Sequence, residues 1–356
     1  MTSARKILIV GPSWVGDMVM AQSLYRLLAE RPDAPAIDVV APAWSLPILE
    51  RMPELAHGIE LAVSHGELAL GRRLALGRRL RANAYDQAIV LPRSAKAALV
   101  PWFAHVPKRT GFRGEWRYGL LNDIRRFDER LDQTVKRFVA LGREPSDLSF
   151  EAVPSRLWPQ LRVDDANRER WRGELALADA GSIVALMPGA EYGVAKQWPP
   201  ERFAALAAAL AADGAAVLVL GSAKERALGD IVAAGSDERI HNLCGRTRLA
   251  DAVDLLAAAD VAVTNDSGLM HVAAATPTHV VAIYGSSTPR FTPPLTERAD
   301  VLYRGLDCSP CFARTCPLKH FRCMLDIEVA DVLTVVRARL HEEGTDRRVS
   351  VRGRDG

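Results

Sequence analysis

Three loops in this sequence carry residue types that handle protons and phosphates, and a fourth carries thiols. The first is Gly11-Pro-Ser-Trp-Val-Gly16-Asp17, which follows an apolar run over 7–10 and opens a helical pattern. In open α/β sheets, ligands bind beyond the carboxyl ends of strands. The spacing approaches a phosphate-binding P-loop, but Asp17 stands where the lysine belongs, and a carboxylate repels phosphate. Nor is this GxGxxG, because Ser13 occupies the second glycine position. What remains is a glycine-flexed turn presenting one carboxylate at a helix start. Asp17 is either a catalytic carboxylate or a stabiliser of the first turn through the helix dipole.

The second loop, Pro188-Gly-Ala-Glu-Tyr-Gly-Val-Ala-Lys196-Gln-Trp-Pro, follows the strand-like run 183–187. Its lone cation, Lys196, is either a solvent-facing side chain or a point charge against a diphosphate. The third is Thr264-Asn-Asp266-Ser267-Gly268-Leu-Met-His271, a strand running into a helix. Asp266 or Ser267 can cap that helix, its first amides form an anion site, and His271 lies one turn on, on the same face. Capping alone would account for the first two, and a core histidine for the third.

The fourth motif is Cys308-x2-Cys311-x4-Cys316-x6-Cys323 with His320 inside it. Four thiols can hold a structural zinc, but the spacing departs from paired CxxC motifs. Free thiols in a proline-containing loop are the preferred reading. The chain has no Asp-x-Asp pair, no HExxH and no GxSxG. The remaining residues suit metal-free, electrostatic handling of a leaving phosphate.

The elements that must position these loops follow from periodicity. Strand-like runs over 7–10, 37–41 and 87–91 alternate with helical patterns over 17–30 and 131–141. A second series has strands over 183–187, 216–220, 261–264 and 280–284, with helices over 201–212, 224–233, 249–259 and 268–275. Alternation of this kind predicts parallel α/β sheets. The pattern lapses over 146–159, so the expected domains are 1–160 and 161–330, followed over 331–356 by a helix (327–342) and a basic, disordered tail. Each half reads as a doubly wound unit, with a cleft expected between them. The motif Leu-Ala-Leu-Gly at 68–71 recurs at 74–77, each copy followed by Arg-Arg. It predicts an amphipathic helix with Leu68, Leu74 and Leu80 partly buried. Its charge is either a solvated face or an attraction to an anionic membrane surface or a phosphorylated acceptor.

Composition bounds the rest. The 356 residues carry 46 Lys plus Arg against 43 Asp plus Glu, too balanced for nucleic acid to be the default partner. Five cysteines, four of them clustered, argue against a secreted disulfide framework and for a cytoplasmic protein. The longest uncharged stretch, 267–289, is broken by Gly268, Pro277 and two histidines, so no bilayer span is expected.

Taken together, the segments ILIVGPSWVGDMVMAQSLYRLL, LPRSAKAALVPWFA, RTGFRGEWRYGLLND, MPGAEYGVAKQWPPERFA, NLCGRTRLADAVDLLAAADVAVTNDSGLMHVAAA and LDCSPCFARTCPLKHFRCM resemble the ADP-heptose:lipopolysaccharide heptosyltransferases, most of all those of type II. The resemblance covers residues 5–340. It implies a GT-B architecture, two Rossmann-like domains facing each other across a cleft, which close over the donor. It also implies inverting transfer of L-glycero-D-manno-heptose from ADP-heptose to the first heptose of the lipopolysaccharide inner core. Carried over motif by motif, it makes Asp17 the general base. Lys196 becomes a diphosphate contact, Asp266, Ser267, Gly268 and His271 the phosphate and ribose loop, and Thr247 part of the adenosine pocket. Glu191 and Tyr192 stand where type I enzymes have hydroxyl residues near the donor phosphates, which favours type II. The implied acceptor is anionic, with Arg93, Lys96, Arg109, Arg113 and Arg117 as expected partners and ordinary surface charge as the alternative. No cofactor is expected, and contact with the cytoplasmic face of the inner membrane is consistent with such an acceptor. Rival readings are a type I or III enzyme acting on another core acceptor, or a non-catalytic nucleotide-binding module.

Overall fold

The computed structural model describes residues 5–63, 66–235 and 237–352 and divides into two units, Met1–Arg162 and Val163–Gly356. The first contains strands β1 (Lys6–Val10), β2 (Ala36–Ala41), β3 (His57–Glu60), β4 (Gln87–Val90), β5 (Lys108–Phe112) and β6 (Asp123–Arg125). They form one sheet in the order β3-β2-β1-β4-β5-β6, with every pairing parallel. Its helices are α1 (Val15–Ala29), α2 (Leu46–Leu49), α3 (Leu70–Leu80), α4 (Leu99–Phe103) and α5 (Thr134–Gly142).

The second unit has β7 (Ile183–Met187), β8 (Ala216–Val219), β9 (Ile240–Asn242), β10 (Val261–Asn265), β11 (His279–Tyr284) and β12 (Ala299–Tyr303). Their order is β12-β11-β10-β7-β8-β9, again parallel. Helices α6 (Asp165–Glu174), α7 (Pro200–Ala212), α8 (Arg226–Val232), α9 (Leu249–Ala258), α10 (Gly268–Ala274), α11 (Arg322–Leu325) and α12 (Val329–Arg352) accompany them. Counted from its own first strand, each sheet runs 3-2-1-4-5-6, the doubly wound order. The strand direction of travel reverses between β1 and β4 in one sheet and between β7 and β10 in the other. A crevice opens beyond the carboxyl ends at such a switch point.

Central parallel strands are covered on both faces and so read as unbroken apolar runs. Ile7, Leu8 and Ile9 are fully buried, as are Val184, Ala185 and Leu186. Each such large aliphatic side chain contributes roughly 1.5–3 kcal/mol by leaving water. The strands not foreseen from sequence are β3, β5, β6, β9 and β12. They lie toward the sheet margins and carry polar residues, as in Lys-Arg-Thr-Gly-Phe of β5.

Two further expectations are corrected. In α3, Leu74 is half-buried and Leu80 buried as expected, with Arg73, Leu76 and Gly77 completing the inward face, but Leu68 is 55% exposed and precedes the helix. Gly77 sets that register: a Cβ there would collide with Phe103 of α4. Arg73 is buried because Nε donates to Leu68 O at 2.6 Å. The last helix also does not stop at 342; α12 continues to Arg352 and takes in most of the expected disordered tail, whose last residues, 353–356, lie outside the described ones. Among the described residues, no helix is long and apolar enough to cross a membrane.

Candidate active site

In the second unit, the loops after β7 and β10 meet at the switch point. Asn265, fully buried at the end of β10, staples them together. Its Oδ1 accepts the Trp198 N–H at 3.0 Å, and its Nδ2 donates to Pro188 O at 2.8 Å. Trp198 is itself fully buried, with Nε1 donating to Ile327 O at 2.8 Å. Lys196, two residues earlier, is thereby directed at the start of α10. Its Nζ lies 2.5 Å from Asp266 Oδ2, with the two side chains 17% and 5% exposed. A buried charge must be paired, and this pair is the electrostatic centre of the unit. Thr292 Oγ1 donates to the other Asp266 oxygen at 3.3 Å, and the Tyr284 hydroxyl fixes Thr292 by donating to its carbonyl at 2.6 Å.

His271 is buried beside this pair. Burial pushes its pKa down to about 4; Asp266 opposes the shift and Lys196 adds to it. The imidazole is therefore neutral at pH 7. Neither capping arrangement expected from sequence is formed. Ser267 is the N-cap residue of α10 but makes no side-chain cap hydrogen bond, its hydroxyl lying 3.4 Å from Thr264 Oγ1, and the Asp266 carboxylate is turned to Lys196. Gly268 opens α10, which is only seven residues long. The local positive charge thus comes chiefly from Lys196.

The other expected donor residues surround this centre at different distances. Tyr192 is part-exposed; its hydroxyl donates to Phe312 O at 2.8 Å. Lys196 and Arg314 each lie 5.2 Å from its ring centroid. Glu191 faces away, toward Lys224 at 3.8 Å in the loop after β8. Thr247 sits in the turn after β9, two strands from β7, which places it ~10 Å along the sheet edge. That separation suits the two ends of a nucleoside diphosphate. The intervening loops pack closely: a Cβ on Gly189 would run into the Glu225 carboxylate, which accepts the Ser222 N–H at 2.7 Å.

The loop holding Cys308, Cys311 and Cys316 braces this site from behind, since Arg314 O accepts the Ala195 N–H at 3.1 Å. Cys308, Cys311, Cys316 and Cys323 are free thiols. Among the described residues, no group of three or more His, Cys, Asp or Glu is placed to hold a metal ion.

In the first unit, Asp17 lies in the first turn of α1, half-buried, directly after β1. A carboxylate there is favoured by the helix dipole. Arg93 follows β4, the neighbour of β1 across the switch point, and Arg113 follows β5. Together with Gly114, Arg126 and Phe127 they line one cavity of about 540 Å³. Three other expected acceptor contacts are placed differently. Lys96 does not line that cavity; its Nζ donates to Gly66 O at 2.6 Å. Arg109 is bound to the carbonyls of Leu120 and Val106, each at 2.6 Å. Arg117 is 2% exposed, with its guanidinium on the carbonyls of Pro92 and Phe112. Both tie loops together because buried guanidiniums need several acceptors. Sequence reasoning missed Asn265, Thr292, Arg314, Arg126 and Phe127. Only Arg126 left a signal, as the second member of the basic pair Arg125-Arg126.

The profile of glycosyltransferase family 9 (heptosyltransferase) matches residues 73–322. The chain belongs to that family. Lipopolysaccharide heptosyltransferase 2 of Salmonella typhimurium is 44% identical over 346 residues, covering 95% of this chain and 99% of that one. The protein of the same name from Escherichia coli is 48% identical, covering 83% and 87%. A solved structure described as E. coli ADP-heptose lps heptosyltransferase II superposes with a TM-score of 0.84 at 42% identity, covering 95% of this chain and 99% of that one. Within the family 9 fold, the Lys196–Asp266 pair lies at the switch point of the second sheet and Asp17 at that of the first.

Proposed function

We propose that this protein is a lipopolysaccharide heptosyltransferase of type II, moving L-glycero-D-manno-heptose from ADP-heptose to the first heptose of the inner core with inversion at the anomeric carbon. The observation that carries the reading is near end-to-end identity of 44% with a type II relative. The donor binds the second unit. Its diphosphate lies against Lys196, with Ser267, Gly268 and His271 beside it, and its nucleoside extends toward Thr247. Glu191 and Tyr192 border the phosphates. The acceptor binds the first unit, through Arg93, Arg113 and more distantly Lys96.

A sugar hydroxyl is too weak an acid to ionise before it reacts. Asp17 therefore takes its proton as the oxygen attacks the anomeric carbon, a contribution of ~10²–10⁴-fold. The glycosidic C–O bond to ADP breaks in the same displacement. Lys196 stabilises the charge that grows on the departing diphosphate, and neutral His271 supplies a ring N–H without adding charge. No covalent intermediate and no metal enter this scheme. The enzyme works on the cytoplasmic face of the inner membrane, where α3 offers Arg72, Arg78 and Arg79 to anionic headgroups.

The test is mass spectrometry of cores carrying zero, one or two heptoses after incubation with ADP-heptose. The one-heptose core alone should gain mass. Asp17→Asn should bind donor as before and lose turnover by ~10²-fold or more. Turnover near that of the parent would refute the base assignment, and extension of the heptose-free core would refute type II.

A further inference from the structure

We propose that Cys316 is a peroxide-reactive thiol whose oxidation closes a disulfide with Cys308 and loosens the loop that carries Lys196. The thiol chemistry stands by itself, while its effect on donor binding rests on the reading above. The cysteine motif is a sequence signal that the proposed transfer reaction does not use. Its sulfurs are free thiols, and among the described residues no three of them are gathered as a metal cage. The thiolate is the nucleophilic form of cysteine, so whatever stabilises it singles out one reactive thiol among several.

The loop supplies that stabilisation at Cys316. Four successive backbone N–H groups, those of Leu318, Lys319, His320 and Phe321, donate to its sulfur. Lys319 and Phe321 stand in the left-handed region, at φ of 59° and 48°, between residues of negative φ. Such alternation turns successive N–H groups to one side and makes an anion nest; here the anion is the loop's own thiolate. A neutral thiol is a weak acceptor and has no use for four donors. Desolvation raises the Cys316 pKa, but the four N–H groups outweigh it and hold it below the ordinary value. The residue is also part-exposed, so a small oxidant reaches it. Two other cysteines show the contrast. Burial, together with the three neighbouring thiols, raises the pKa of Cys323. Burial, with Glu225 and Asp230 adding to it, pushes that of Cys244 up to about 12.

His320 brings the second thiol in. Its backbone N–H is on the Cys316 sulfur, while its ring Nε2 lies 3.9 Å from Cys308 Sγ. The Arg322 N–H donates to His320 Nδ1 at 3.0 Å, which leaves the ring proton on Nε2, facing Cys308. Oxidation then runs in two steps. The Cys316 thiolate attacks one oxygen of hydrogen peroxide, the O–O bond breaks and hydroxide leaves, giving a sulfenic acid. The Cys308 sulfur attacks the sulfenic sulfur, the S–O bond breaks, and the departing hydroxide takes the Cys308 proton as water. Both thiols are oxidised and the peroxide is reduced to water. Transient, redox-sensing disulfides are the kind that reducing compartments allow. Residues 308 and 316 bracket the segment that holds the Lys196 loop. Phe312 O accepts the Tyr192 hydroxyl at 2.8 Å, and Arg314 O accepts the Ala195 N–H at 3.1 Å. Gly193 lets the two loops touch, because a Cβ there would strike Arg314 O. A disulfide is uncharged, so the nest loses its anion, and drawing Cys308 from His320 re-forms the segment between. The contacts to Tyr192 and Ala195 go with it.

The experiment treats the full chain, Cys316→Ser and Cys308→Ser with hydrogen peroxide, blocks the remaining thiols and maps the peptides by mass spectrometry. ADP affinity is measured by calorimetry before treatment, after it, and after reduction with dithiothreitol. The parent should gain the Cys308–Cys316 disulfide while Cys244 stays a thiol. Loss of the two hydrogen bonds should weaken ADP binding about tenfold, and reduction should restore it. Cys316→Ser should bind ADP like the reduced parent and ignore peroxide. Cys308→Ser, lacking the resolving thiol, should accumulate a sulfenic acid at Cys316 that dimedone traps. A disulfide that omits either residue, equal peroxide sensitivity in Cys316→Ser, or unchanged ADP affinity in the oxidised parent would overturn the proposal. So would stoichiometric zinc in the purified parent that keeps the loop thiols unreactive until it is chelated. If the reduced parent binds no ADP, the donor reading falls instead, and the peptide map still judges the thiol pair.

Discussion

Replacing Lys196 by Met strips the counter-charge from a carboxylate whose side chain is 5% exposed. Among the described residues, Asp266 would keep the Thr292 hydroxyl at 3.3 Å and the neutral His271 nearby, and neither compensates a full charge. Deleting one member of a buried pair costs ~3–5 kcal/mol, so Lys196→Met should lower the unfolding free energy of the second unit by that amount at neutral pH. Asp266→Asn should cost less, about 2 kcal/mol, because Lys196 is 17% exposed and its ammonium can turn to water or to the Tyr192 ring. The double variant removes both charges together and should return to within about 1–2 kcal/mol of the parent.

Donor binding should behave differently. Losing a charge-assisted contact to a diphosphate weakens binding by about 1.5–3 kcal/mol, roughly 10- to 100-fold, and the double variant does not regain it. Urea unfolding followed by tryptophan fluorescence, with buried Trp198 as the local reporter, measures the first quantity; donor KM measures the second. Recovery of donor affinity along with stability in the double variant would show that the pair is scaffolding and that the diphosphate lies elsewhere. Unchanged stability in Lys196→Met would show that the pair does not form in solution.

A second expectation concerns pH. The folded pKa of His271, about 4, lies below its ordinary value of about 6.5, so the unfolded chain takes up the proton first as pH falls. Stability of the second unit is complete above pH ~6.5 and should decline by up to about 3 kcal/mol on acidification to pH ~4; His271→Gln should flatten that stretch of the profile, and an unaltered slope would remove His271 as its cause. A third concerns α3: Arg78→Glu with Arg79→Glu should weaken sedimentation with anionic vesicles while leaving transfer to a soluble core oligosaccharide near the parent rate. Unchanged vesicle binding would exclude this helix from membrane contact.

What the sequence made legible was what local rules determine. β1 and β7 read directly as buried strands because parallel-sheet interiors leave no room for polar residues. The loops after them were recognisable by glycine, proline and a lone charged residue. Asp17 and Lys196 could be named on those grounds, and Asp266 and His271 on the strand-to-helix motif that follows β10. Their pairing could not. That Lys196 spends its charge on Asp266, 70 positions away, depends on Asn265 bridging two loops, and nothing in the spacing of either motif encodes that bridge. The capping expectation for Asp266 failed for the same reason: a cap is a local bond worth about 1 kcal/mol, and a long-range partner in a dry site outweighs it.

The basic residues of the first unit show the limit from the other side. Arg93, Arg109, Arg113 and Arg117 look alike in sequence, yet Arg109 and Arg117 are consumed by backbone carbonyls, whereas Arg93 and Arg113 face a cavity. The difference lies in strand order. Marginal strands such as β5 and β6 need few apolar residues, so they were invisible to periodicity, and with them went the knowledge that residues 93, 113 and 126 end adjacent strands. Once the order β1-β4-β5-β6 is known, the spacing between functional groups becomes a count of strands. The proposed base stands one strand from Arg93 and two from Arg113, so the acceptor proposed above presents its hydroxyl and its acid that far apart along the sheet edge. A rule of that kind predicts which shortened acceptors fail: those that keep the reacting hydroxyl but lose the acid.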